Sequence, residues 1–177
     1  GLISSRLSLL TREEQDLLQT ASTFGVIVPV STLAVVHNHV HGSSEREMLI
    51  TAQTLVRKGL LLRDKKKLDV VEFENQITQK VVYERMLVSH REHVHASIVD
   101  ELELDQEWLV KNFGVAIKHC EAACDLERTR KYLLKAGTYA KKLGVARDTI
   151  YFLTRLLEFD KLHKRKFWKA SESDYEV

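Results

Sequence analysis

Apolar residues recur along most of the chain at intervals of three and four, separated by polar positions, and this spacing predicts helices. The first opens at Thr11, where Thr11 and Glu14 form a capping box in which each side chain can satisfy the other's orphaned backbone N–H. Leu17, Leu18 and Ala21 supply its inward stripe, and Gly25 stops it. Val26-Ile27-Val28, just before Pro29, is short and β-branched and predicts a strand. Ser31 then caps a brief helix through Leu33, Val35 and Val36, and His37-Asn38-His39-Val40-His41-Gly42 has the composition of a loop. Ser44 and Glu47 repeat the capping box and open a helix with Leu49, Ala52, Leu55 and Val56 inward, ended by Gly59. Two short apolar runs, Leu60-Leu61-Leu62-Arg63 and Leu68-Asp69-Val70-Val71-Glu72-Phe73, flank the charged turn Asp64-Lys65-Lys66-Lys67 and predict a β-hairpin. Three helices closed by a hairpin predict a winged helix over residues 8–74.

Beyond Phe73 the pattern is helical throughout. Gln76 to Leu87 places Ile77, Val81, Val82 and Met86 inward, and Ser89 to Leu104 places Val94, Ile98, Val99 and Leu102 inward, giving a connecting helical pair over 75–104. Asp105 caps a helix that carries Trp108, Leu109, Phe113, Ala116 and Ile117. Asp125 caps the next, with Tyr132, Leu133, Ala136 and Ala140 inward and Gly144 as its stop, and the last, from Arg147, sets Ile150, Leu153, Leu156 and Leu157 on one stripe. Residues 105–170 read as tetratricopeptide-like, because Gly137 and Ala140 are small where paired helices would cross, and small side chains let axes approach to about 8–10 Å. Thr149 and Leu156 depart from the small residues that such repeats prefer, and residues 171–177 read as a frayed tail. The expected fold class is mainly α, a winged helix followed by a helical, tetratricopeptide-like array.

Composition narrows the function. The 177 residues contain 27 Lys+Arg and 25 Asp+Glu, a net charge of +2, so no long-range field draws the chain to phosphate backbones or anionic lipid. One Pro and 7 Gly argue against a turn-rich sandwich, and two Cys cannot build a disulfide framework, which points to a reducing compartment. No apolar run approaches the roughly 20 residues of a spanning helix, so membrane insertion is not expected. The glycines stand singly and no G-x-x-x-x-G-K-[ST] occurs, so no phosphate cradle is expected. The chain opens on Gly1 inside a running segment, and is read as a piece of something larger.

Candidate chemistry is sparse. His37, His39 and His41 would share a face only on a strand, and on a loop they are solvated and not metal ligands. His90, His93 and His95 fall on a helix as a solvated or interfacial face, with pH sensing as the functional alternative. Cys120 and Cys124, at i and i+4 beside His119, fall short of four zinc ligands and read as small buried hydrophobes. A DNA-binding winged helix would use Arg46, Gln53, Arg57 and Lys58 in the major groove and Lys65, Lys66 and Lys67 on phosphate, but Glu45 and Glu47 open that same helix. Trp108, Phe113, Phe152 and Phe159 read as core. Trp168 beside Lys164, Arg165 and Lys166 is the exception, amphipathic and terminal, and forms the candidate partner surface. No paired carboxylates and no Ser/His/Asp arrangement stand out, so no catalytic, cofactor-binding or metal residue is assigned.

The stretch Phe73-Glu74-Asn75-Gln76-Ile77-Thr78-Gln79-Lys80-Val81-Val82-Tyr83-Glu84-Arg85-Met86-Leu87 resembles the end of the winged helix in STAND-type AAA+ ATPases, especially those attached to soluble (type 10-like) class III adenylyl cyclases. The shared pattern is an aromatic on the last strand, a helix culminating in Val82-Tyr83-Glu84, and a basic helix containing Val94-His95. Leu10 to Gly25 is similar to the first winged-helix segment of that family, and Ala136-Gly137-Thr138-Tyr139-Ala140 with Leu143-Gly144 resembles the repeats that follow in it. The resemblance touches most of Leu10 to Phe159, in the family's order; Asn75 departs from it, standing where many relatives have His. It implies a non-catalytic regulatory segment that relays nucleotide or partner state through a winged helix and helical repeats, with cyclic AMP synthesis, ATP and Mg belonging to domains outside this chain. The implied partners are proteins or other domains of the same chain, and the implied location is the cytoplasm, including the cilium or flagellum. The alternatives are a scaffold segment in a larger ciliary or axonemal assembly and, last, a DNA-binding winged helix.

Overall fold

The computed structural model describes residues 2–63 and 69–164. The chain divides into two compact units, the first ending at Glu101 and the second beginning at Leu102. The first unit contains α1 (Leu2–Ser8), α2 (Arg12–Ser22), β1 (Ile27–Pro29), α3 (Val30–His41), α4 (Glu45–Arg57), β2 (Leu61–Leu62), β3 (Val70–Phe73), α5 (Gln76–Arg85) and nearly all of α6 (Val88–Leu102). The second contains α7 (Gln106–Lys111), α8 (Phe113–Ala122), α9 (Leu126–Lys142) and α10 (Ala146–Leu162). The result is a mainly helical chain with a small three-stranded sheet near its N-terminus, followed by a helix-rich array. No described helix is long and apolar enough to cross a membrane.

Both expected capping boxes close. Thr11 N donates to Glu14 Oε2 at 2.9 Å while Glu14 N donates to Thr11 Oγ1 at 3.3 Å. Ser44 and Glu47 repeat this at 2.8 and 3.3 Å. Glu14 does more than cap. Its Oε2 also accepts from Lys58 Nζ at 2.6 Å, which ties the start of α2 to the end of α4. Burial opposes ionisation of this carboxyl, but Lys58 and the Thr11 N–H outweigh it and hold it below its ordinary value. At the far end of α4, Gly59 takes φ +67° and lets Leu60 N reach Leu55 O at 3.0 Å, closing the last turn.

The expected hairpin pairs antiparallel, Leu61 opposite Phe73 and Leu62 opposite Glu72. β1 joins the other edge of β3 with Val28 opposite Val71, giving the order β1-β3-β2. Pro29 lies on that outer strand, where its missing N–H costs no ladder bond. Alternation sends Val28, Leu61, Val71 and Phe73 into a core shared with Leu17, Leu18, Leu33, Met48 and Leu55.

Several elements depart from the sequence reading. α1 precedes the first expected helix. His37–His41 is helix and not loop: α3 runs on past Val36 because Leu33, Ala34, Val36 and His37 share its buried face, and it ends where Gly42 turns left-handed. Ile77 is exposed, since α5 turns Thr78 and Val82 inward instead. The helix expected from Asp105 through Ile117 is two, broken at Asn112 (φ −131°, ψ 31°), whose Nδ2 donates to Trp108 O at 2.8 Å and closes α7.

In the second unit Asp105 and Asp125 cap their helices through Trp108 N and Arg128 N, each at 2.9 Å. α9 and α10 approach so closely that a Cβ built on Gly137 would lie 2.5 Å from Leu153 Cδ2. Arg130 clasps Asp160 with two hydrogen bonds across the same pair of helices, at 2.8 and 3.1 Å. The stripe expected on α10 is only partly inward: Leu156 is buried, whereas Ile150 and Leu157 face solvent.

Candidate functional site

The two histidine runs, more than forty residues apart in sequence, meet in the first unit. His37 and His41 lie one turn apart on α3 with ring centroids 4.6 Å apart. The His41 ring meets His90 of α6 edge-on at 5.4 Å, and His39 faces His93 at 6.5 Å. The fold of α3 makes this seam, because a helix that runs on to His41 brings His39 and His41 to α6 and leaves His37 beside Thr20 of α2.

Thr20, on α2, organises the buried end. Its hydroxyl donates to Asp16 O at 2.9 Å, so its remaining capacity is as an acceptor. His37 Nδ1 and His41 Nε2 lie 3.4 and 3.3 Å from that oxygen. On its other side, His41 Nδ1 lies 3.8 Å from Asp16 Oδ2. A proton arriving there would convert this contact into an ion pair.

Burial opposes protonation of His37 and His41. It pushes His37 down from the usual 6.5 to about 4, with His41 adding repulsion. His41 is lowered by burial as well, Asp16 pulling the other way and His90, His93 and Arg12 reinforcing the decrease. His95 is not part of this set. It is buried with Nε2 3.0 Å from Tyr83 Oη, and the Arg91 guanidinium lies 4.8 Å from the Tyr83 ring centroid. Among the described residues no group of three or more His, Cys, Asp or Glu is arranged to hold a metal ion. The chemistry available to His37 and His41 is proton uptake, with packing as its consequence.

The cysteines do not behave as one buried pair. Cys120 is buried and its thiol is pushed up to about 12 by burial. Cys124 lies beyond the end of α8, exposed and at φ +55°, because the chain turns left-handed there as it does at Gly59 and Gly144. His119 is buried and lowered to about 4, again by burial. Trp108, expected in the core, is partly exposed, whereas Phe113 packs on Tyr132 at 6.0 Å. Glu103 gathers Tyr132 Oη and Lys131 Nζ, and is held below its ordinary value once these outweigh its own burial.

The residues singled out for partners and for nucleic acid are described only in part. Lys164 is exposed at the end of the described chain, and Arg165, Lys166 and Trp168 lie outside the described residues, as do Lys65, Lys66 and Lys67. Arg46, Gln53 and Arg57 are exposed on α4, but Lys58 is committed to Glu14. The loop-like composition of His37–Gly42 hides the meeting of the two histidine runs from the sequence. The spacing of Leu33, Val36, His37 and Val40 at i, i+3, i+4 and i+7 carries the helical signal that would have found it. No family model, curated protein or solved structure matches the chain.

Proposed function

We propose that this chain is a non-catalytic regulatory and protein-interaction segment, a winged helix handing on to tetratricopeptide-like helices. The observation that carries the reading is the sheet order β1-β3-β2, in which the hairpin after α4 is joined by the strand between α2 and α3 and leads directly into α5. That sequence of elements is the one implied by the resemblance to the STAND-type ATPases of soluble class III cyclases. In that setting nucleotide contacts made by other domains of the parent favour one position of the winged helix, and the helical repeats respond to it. Cyclic AMP synthesis, with its ATP and Mg, belongs to those other domains, and the parent acts in the cytoplasm, including the cilium. Removing Leu10–Phe73 from the parent should abolish nucleotide-dependent regulation while basal cyclase or ATPase output persists. Regulation that survives the deletion overturns the proposal.

A scaffold role is the second reading, favoured by the exposure of Ile150 and Leu157, two turns apart on one side of α10 and suited to a neighbouring helix. A stoichiometric complex with other proteins on gel filtration, indifferent to nucleotide, would select it over the relay.

A further inference from the structure

An apolar cleft of about 330 Å³ opens on the first unit between α3, α4 and β3. Its floor is core, formed by Leu33, Met48 and Val71, all buried. Leu49 and Val56 form half-buried walls. Three exposed side chains, Gln53, Arg57 and Arg63, stand at its edge. The two arginines are the only charged groups among the described residues that line it, and no described carboxylate pairs with either. Arg57 donates to the neutral Thr54 Oγ1 at 3.1 Å.

The geometry points to this cleft as a docking site for an acidic amphipathic helix of a partner protein. Its α4 wall consists of Met48, Ala52 and Val56 beside Leu49, Gln53 and Arg57, two neighbouring rows each with a spacing of four. Such rows are the ridges between which another helix packs, and the small Ala52 at the middle of its row admits close approach. From Met48 to Val56 the α4 wall extends about 12 Å, long enough for two turns of a partner. Apolar residues of that partner at i, i+4 and i+7 cover Ala52, Val56 and Val71, and its flanking carboxylates reach Arg57 and Arg63. Duplex DNA is the poorer match: a recognition helix projects polar side chains into the major groove, whereas here the face is concave, apolar-floored and opened by Glu45 and Glu47. The inference is independent of the parent's activity.

The test is fluorescence anisotropy of the full chain with a labelled, Ala-rich helical peptide of about 16 residues. The peptide carries Leu at i, i+4 and i+7 and Glu on the flanks, and its counterpart carries Lys in place of every Glu. The acidic peptide should bind with a Kd on the order of 10 μM, and Arg57→Glu with Arg63→Glu should weaken it at least ~10-fold while improving binding of the Lys peptide. Both positions are exposed, and circular dichroism checks the fold; if the reversals disturb it, Arg57→Gln with Arg63→Gln gives the same readout. Equal affinity for both peptides, no binding of the acidic one, or tighter capture of a DNA duplex through the same arginines each overturns the inference.

Discussion

The two units of this chain solve the problem of stability in opposite ways. In the first, burial joins residues far apart in sequence: Leu17, Val28, Leu55 and Phe73 meet in one core, and the sheet pairs Ile27 with Glu72. In the second, successive helices hold one another by the close approach at Gly137 and the Arg130–Asp160 clasp, with Arg155–Glu121 and Lys131–Glu103 reaching past the adjacent helix. A non-local core fails as a whole when one large side chain is lost. A chain-ordered array fails helix pair by helix pair. The contrast teaches where each unit is vulnerable, and substitutions can strain it.

The largest effect is expected from Phe73→Ala, which empties a site in the sheet face of the core and should cost about 3–5 kcal/mol. Amide hydrogen exchange should show α2 to α4 losing protection together while α9 and α10 keep theirs; equal loss in both units would erase the contrast. Next comes Gly137→Val, whose Cβ would lie 2.5 Å from Leu153 Cδ2 and should cost about 3 kcal/mol in the second unit alone, with Gly137→Ala milder.

Acid sharpens the comparison because each unit buries a strongly depressed histidine. His37 and His119 both titrate near 4 when folded, against 6.5 ordinarily, so between these values the unfolded chain binds more protons. Their contributions are complete above 6.5 and are lost as pH falls toward 4, at most about 1.4 kcal/mol per pH unit each. His37→Gln should flatten that slope in the first unit only, and His119→Gln in the second only, as read by denaturant midpoints and exchange at several pH values. The smallest effect is Arg130→Gln. This partly exposed clasp should contribute about 0.5 kcal/mol, measured as a shift in α9–α10 exchange that vanishes in high salt.

What was legible in the sequence follows from how local its cause is. Both capping boxes, the stops at Gly59 and Gly144 and the Asp105 and Asp125 caps are fixed within a few residues, and all of them form. The hairpin was legible because two apolar runs flank a charged turn, and its strands pair. The course of α3 was not, since His and Asn at 37–39 weigh against helix while the burial that overrides them comes from tertiary packing. Nor does period alone say which stripe faces inward, which is why Ile77, Ile150 and Leu157 stand exposed. The histidine seam needed both facts at once, a helix at 37–41 and its alignment with α6.

One carboxylate oxygen, Glu14 Oε2, serves two masters, the Thr11 amide and the Lys58 ammonium. Positions 11, 14 and 58 are therefore a single unit of heredity: an amino-acid change at any one is felt at the other two, and a tolerated exchange at 14 should travel with a compensating one at 58. Covariation between 14 and 58, distant in sequence and joined by one atom, is the trace this rivet should leave in the history of the fold.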